Sequence, residues 1–182
     1  VLEKGRLLEE WKRGRDEFES LYALTGGLLG GEAFLDSMQD CLKGLAKQLG
    51  LDRSAIICLR KTADGFEVFD ILASYRFSSV NLKHILNGIR SNIKAILANA
   101  GHKEDDSLCP YSLPFQEKGR TMELFCLPLM TRSLLQHFLL VSRKLPDGDP
   151  AEILHHYRFL RLLSREICVA IVREEMMEEI KF

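Results

Sequence analysis

The polar stretch "GHKEDDSLCPYS" gathers the side chains best suited to chemistry: His102, Glu104, Asp105, Asp106 and Cys109. Cys109 is the one cysteine set in a polar loop, and Pro110 follows it. A Cys-Pro pair can ligate haem iron through its thiolate, and a bare thiol can sense oxidants when its pKa is lowered. His102 and Cys109 offer metal-ligand types, but one His and one Cys make half a site and acidic loop residues are mostly solvated, so no metal is expected. His155 and His156 are adjacent on a predicted helix and point to different sides, which makes them poor joint ligands. His137 interrupts the apolar run "LLQHFLLVS". Facing a pocket, it would be a buried polar group in need of a partner or a ligand; facing out near an edge, it would mean little.

Catalytic constellations are missing from the pattern. There is no Ser, His and Asp in a recognisable setting, no evident pair of carboxylates on a pocket wall, and no Gly-rich nucleotide loop after a strand. "TGGLLGGE" has the glycines of a phosphate loop, yet no Lys-Ser or Lys-Thr follows it. An enzyme is not expected. A binding role is better supported: Phe69, Tyr75, Phe77, Tyr111 and Phe115 could line a small-molecule cavity between a sheet and a loop, with Cys109 and His137 as its polar members.

The elements that would position these residues follow from composition and period. The 182 residues, 46% of them hydrophobic, suffice for one sizeable core. A formal charge of -1 leaves no footprint for direct nucleic-acid binding or for an anionic membrane surface. No apolar stretch is long enough to span a bilayer. The five cysteines are an odd number without C-x-x-C spacing, and most lie in apolar runs, a usage that fits a reducing cytoplasm.

Residues 1 to about 25 read as a helix with a heptad seam: Leu7, Gly14, Leu21 and Leu28 form one series, Trp11, Phe18 and Thr25 the other. A second helix is predicted from Ala33 to Leu49, closed by Gly50. "SAIICLR" (54–60) reads as a central strand, "ADG" as a turn, and "FEVFDILASYRF" as its hairpin partner, with Phe69, Ile71, Ala73, Tyr75 and Phe77 pointing one way. An amphipathic stretch from Leu82 to Leu97 follows, which Gly88 would divide. Residues 101 to 121 show no clear pattern. "ELFCLPLM" and "LLQHFLLVSRK" form a second strand pair, in which Pro128 calls for a free edge or a bulge, and everything from Ala151 onward reads as helix. No strand-helix-strand unit repeats, so the expected class is α+β: an antiparallel sheet of about five to six strands with helices on its faces.

That order resembles the GAF domain, a sensory module of signalling proteins. "GLDRSAIICLR" and "DILASYRF" look like the family's first two strands. "NIKAILANAGH" is similar to its helix before the pocket-facing loop. "LFCLPLMTRSLLQHFLLVSRK" and "HHYRFLRLLSREICVAIVREE" resemble its final hairpin and signalling helix. The resemblance runs from about Phe34 to Arg173 and implies a fold more than a ligand. The Asn-Lys…Phe…Asp-Glu signature of cyclic-nucleotide-binding members is absent, and Cys109 precedes Pro110 where bilin-attaching members have Cys then His. No cofactor is therefore assigned.

By this resemblance the chain would hold an N-terminal linker and dimerisation helix (1–30), a GAF-like sensor domain (31–173) and the start of a signalling helix extension (174–182). Trp11, Phe18, Leu21, Val169, Val172, Met176 and Ile180 would form a coiled-coil-like homodimer seam, with the two end helices packed together. The start at Val1 and the uncapped ending "LSREICVAIVREEMMEEIKF" suggest a segment of a longer cytoplasmic protein, with an output module in the same chain. The expected role is a small-molecule sensor feeding a histidine kinase of a two-component system, a nucleotide cyclase or a transcription activator. The rival expectation is a ligand-free dimerisation scaffold.

Overall fold

The computed structural model describes residues 2–28, 33–101, 111–129, 135–144 and 150–180. The first helix, α1 (Leu2–Thr25), precedes α2 (Phe34–Leu49). The hairpin β1 (Arg53–Thr62) and β2 (Gly65–Tyr75) follows, then α3 (Ser79–Gly101). Strands β3 (Tyr111–Glu117), β4 (Arg120–Leu129) and β5 (Leu135–Lys144) lead into α4 (Pro150–Ile180). Among the described residues this is an α+β fold with one five-stranded sheet, in the order β2-β1-β5-β4-β3, and every neighbouring pair is antiparallel.

The central strands are near-continuous apolar runs because both faces of the sheet are covered. On one face Ile56, Phe125, Leu127, Leu129, Leu139 and Val141 pack with α2 residues such as Met38 and Leu42 and with Leu163, Ile167 and Ile171 of α4. On the other face Ala55, Ile57, Leu59, Leu124, Cys126, Phe138 and Leu140 meet Leu82, Ile85, Leu86, Ile89, Ile93 and Ile96 of α3. β1, β4 and β5 therefore send alternate residues into two separate cores.

The helix ends follow local chemistry. Gly50 closes α2 in the left-handed conformation, φ 63°, and the amide of Leu51 donates to the Ala46 carbonyl at 2.9 Å, the bond of a glycine-capped C-terminus. Ser78 caps α3: its hydroxyl accepts from the Asn81 amide at 3.2 Å. α1 comes so close to α2 that a side chain at Gly44 would run into Leu24.

Four features differ from expectation or refine it. Gly88 does not divide α3, which runs unbroken, with the Asn92 amide group donating to the Gly88 carbonyl at 2.8 Å. Residues 111–117, which show no pattern in the sequence, form an edge strand. Its hairpin to β4 turns on Lys118 and Gly119, both at positive φ (48° and 74°), the geometry that suits the twist of a two-residue hairpin. The expected alternation of β2 is broken by a register shift between Ile56 and Ile57. Ala73 pairs with Ile56 and joins the α2/α4 core along with Tyr75, whereas Ile71 pairs with Ile57, which belongs to the α3 core. Pro128 pairs with Phe138 of β5 and lies beyond Cys126, the last β4 residue with a described β3 partner, so the missing amide breaks no described β3–β4 bond.

Candidate functional site

A crevice of about 130 Å³ opens on the α3 face of the sheet at the β3 edge. α3 contributes Asn81, His84, Ile85 and Gly88; β3 contributes Leu113, Pro114, Phe115 and Gln116; Leu124 of β4 completes it. The helix positions its members at i, i+3, i+4 and i+7, one stripe facing the strand pair. Open space lies beside Gly88, where an added methyl group would touch nothing within 4 Å. Gln116 is already engaged, its amide donating to the Thr121 hydroxyl at 2.8 Å. Asn81 and His84 are its other polar members, His84 being exposed, and the rest of the lining is apolar. The space suits a fragment-sized group and is smaller than the roughly 300 Å³ at which drug-sized ligand pockets begin.

The structure divides the sequence-predicted ligand set. Phe77 and Phe115 pack against the α3-side core, and Phe115 lines the crevice itself. The Arg53 guanidinium lies 5.9 Å from the centre of the Phe77 ring. Tyr75 packs against the opposite core, with the guanidinium of Arg76 over its ring at 5.0 Å.

His137 also belongs to the far side. It is 3% exposed, pairs across the sheet with Cys58 and Leu129, and alternates with Phe138 and Leu140 of the α3 core. Its side chain thus shares the face of Leu139 and Val141, away from the crevice. Burial holds its pKa below the ordinary 6.5. Of Phe69 and Tyr111 only the strand positions are described: Phe69 falls at the second register shift of β2, and Tyr111 pairs with Cys126. Cys109, His102 and the acidic residues 104–106 lie outside the described residues.

Of the nine crevice residues only Phe115 was in the sequence-predicted ligand set; Asn81, His84, Ile85, Gly88, Leu113, Pro114, Gln116 and Leu124 were missed. Their placement depends on β3, whose strand character is obscured by Pro114 and two Gln/Glu positions. The Lys118-Gly119 pair was the readable signal.

The described cysteines have the character of packing residues. Burial pushes Cys41 and Cys126 up to about 12. Cys58 rises to about 11 through burial, helped by Asp70 and Glu175, and Cys168 is raised by burial and Glu175. All four stay protonated at neutral pH and are poor nucleophiles. Among the described residues no cluster of three His, Cys, Asp or Glu could hold a metal ion, and no described helix is long and apolar enough to cross a membrane.

A second candidate surface lies on the end helices. Trp11 and Phe18 of α1 are 62% and 68% exposed, and Val169, Met176 and Ile180 of α4 are 55%, 57% and 75% exposed. Val172 is half-buried beside them. Leu21 instead packs against the α2/α4 core.

These layers define an α+β domain with an antiparallel sheet sandwiched between α3 and the α2/α4 pair. Among solved structures it is similar to the A. aeolicus nlh2 GAF domain in an inactive state, at 16% identity and a TM-score of 0.57 over 87% of this chain and 97% of that one. It is also similar to the phycoerythrobilin-bound GAF domain from a cyanobacterial phytochrome (12% identity, TM-score 0.56, 89% and 97% covered). A third similar structure is the N-acylhomoserine lactone dependent LuxR family transcription factor CepR2 from Burkholderia cenocepacia (14%, 0.59, 86% and 96%). The chain has the GAF fold. No protein-family profile matches the sequence, and no curated protein does.

Proposed function

We propose that this chain is a regulatory sensor domain of a cytoplasmic signal-transduction protein, in which a small molecule between α3 and the β3–β4 hairpin changes how the sheet packs on α4. The observation that carries the reading is the alternation of β4 at the crevice. Leu124 lines the crevice, and its neighbour Phe125 points through to the other core, where its ring meets Tyr157 of α4 at 5.1 Å. A ligand that displaces Leu124 therefore acts on a strand that also holds α4. Such a ligand shifts the domain only by binding one arrangement more tightly than the other.

In this reading residues 31–173 are the sensor, 1–30 a dimerisation helix and 174–182 the start of the extension that carries the signal to a histidine kinase, cyclase or transcription activator. Phe77 and Phe115 belong to the ligand-side wall, with Phe69, Tyr111 and Cys109 as further members from β2, β3 and the segment before β3. The exposed faces of α1 and α4 support self-association as the working state. Two of the similar structures bear ligand-linked names, one phycoerythrobilin-bound and one N-acylhomoserine lactone dependent, which accords with a ligand on this fold.

A second reading, a ligand-free dimerisation scaffold, is favoured by the filled interior: Ile57, Leu59, Ile89, Ile96, Phe138 and Leu140 are all 0% exposed on the α3 side. Thermal unfolding against a panel of metabolites and cyclic nucleotides separates the two. A saturable rise supports the sensor, with about 2.7 kcal/mol expected at 100 times the dissociation constant. A flat response across the panel, with dimerisation intact, supports the scaffold.

A further inference from the structure

The outward face of α4 has a charge order that selects how two copies would meet. The inward face is spoken for: Leu160, Leu163, Ile167, Ala170 and Ile171 are buried in the α2/α4 core. Roughly opposite them on the helix run Arg165, Val169, Val172, Met176 and Glu179, at the three- and four-residue steps of a single stripe. Arg165 and Glu179 are exposed, as are Val169 and Met176 between them. The stripe is thus apolar at its centre, with Arg165 at its N-terminal end and Glu179, next to the exposed Ile180, at its C-terminal end.

Arg165 and Glu179 stand seven residues to either side of Val172, about 10.5 Å along the axis in each direction. In a parallel pairing of two such helices, Arg165 faces its own copy and so does Glu179. In an antiparallel pairing about a two-fold axis at Val172, Arg165 faces Glu179 of the partner subunit twice over, and the apolar residues still meet at the centre. Like charges directly opposed on an apolar seam disfavour the first arrangement, and complementary ones favour the second.

We propose that the α4 stripe docks a second copy of this chain in antiparallel orientation, with Val172 at the two-fold axis and reciprocal Arg165–Glu179 pairs closing both ends of the seam. The proposal rests on the self-association in the functional reading above and adds the partner helix, its direction and its register. The C-terminal ends of the two α4 helices then leave the seam on opposite sides.

Sedimentation equilibrium of the full chain and three variants tests it. Arg165→Glu alone and Glu179→Arg alone should each raise the dimer dissociation constant about tenfold, since each turns two attractive pairs into repulsive ones. The double variant Arg165→Glu with Glu179→Arg should restore the original value. Far-UV circular dichroism should be unchanged throughout, because both positions are exposed. Single variants that dimerise as tightly as the parent overturn the antiparallel seam and leave self-association standing, because a parallel seam exchanges one like pair for another. A parent chain that stays monomeric at high concentration overturns the self-association itself.

Discussion

Phe125 of β4 and Tyr157 of α4 meet edge to face, ring centroids 5.1 Å apart and planes at 74°, and Arg143 lays its guanidinium over the same Phe125 ring at 5.1 Å. One strand residue is thereby held from the helix side and from the neighbouring strand. Edge-to-face pairs of this kind contribute about 0.5–1.5 kcal/mol beyond their buried area. Phe125 is 2% exposed, so Phe125→Ala should cost about 3–5 kcal/mol, read as a fall in urea midpoint with an unchanged slope. A loss below 1 kcal/mol would show that α4 is not anchored to the sheet at this point.

Arg143 and Glu123 face each other across β5 and β4 and pair at 3.3 Å, with side chains only 14% and 18% exposed. Removing one partner strands the other charge where water reaches it poorly. Glu123→Ala is therefore expected to cost about 1.5–3 kcal/mol in chemical denaturation. Replacing both residues with Leu and Met should recover much of that loss, because apolar residues of similar volume suit a half-buried strand position. Additive losses in the double variant would argue against a coupled pair.

The pH dependence of stability should carry the signature of His137. Its folded pKa lies below 6.5 because burial disfavours the imidazolium. Between the folded and unfolded pKa values the unfolded chain binds the extra proton, so stability rises with pH there. It is fully present above about 6.5 and is lost as pH falls toward the folded pKa. Urea unfolding at pH 7.5 and 5.5 should show a larger drop for the parent than for His137→Asn, which has no proton to gain. Equal drops would place the acid sensitivity elsewhere.

How much of this was legible varied with how local each signal is. α2 could be read outright, since its apolar spacing and Gly50 cap lie within one segment. The β1, β4 and β5 runs declared themselves because strands buried on both faces carry unbroken apolar sequence. The face of each β2 residue was not legible: a one-residue shift opposite Ile56 and Ile57 leaves Leu72 as an extra residue of β2 and reassigns Ile71 against Tyr75, and it shows only once β2 is paired with β1. His137 illustrates the same limit. A lone polar residue in an apolar strand is conspicuous, but the core it enters depends on the registers of Cys58 and Leu129. The crevice was hidden for a further reason. Its β3 wall is an edge strand with Pro114 in the middle, and an edge tolerates residues that erase the usual strand pattern.

Gly88 offers the sharpest separation of folding from ligand response. Its position in the middle of α3 costs helix stability relative to Ala, and a Cβ there meets nothing within 4 Å. Gly88→Ala should therefore stabilise the chain by about 0.5–1 kcal/mol. A longer side chain would extend from the same point into the crevice beside Phe115 and Leu124. Gly88→Leu should keep the fold, as read by circular dichroism and a cooperative melt, while abolishing any ligand-induced rise in melting temperature seen for the parent. If Gly88→Leu still responds to the same compound with unchanged affinity, the ligand sits outside the α3–β3 crevice and the route through Leu124 and Phe125 is wrong.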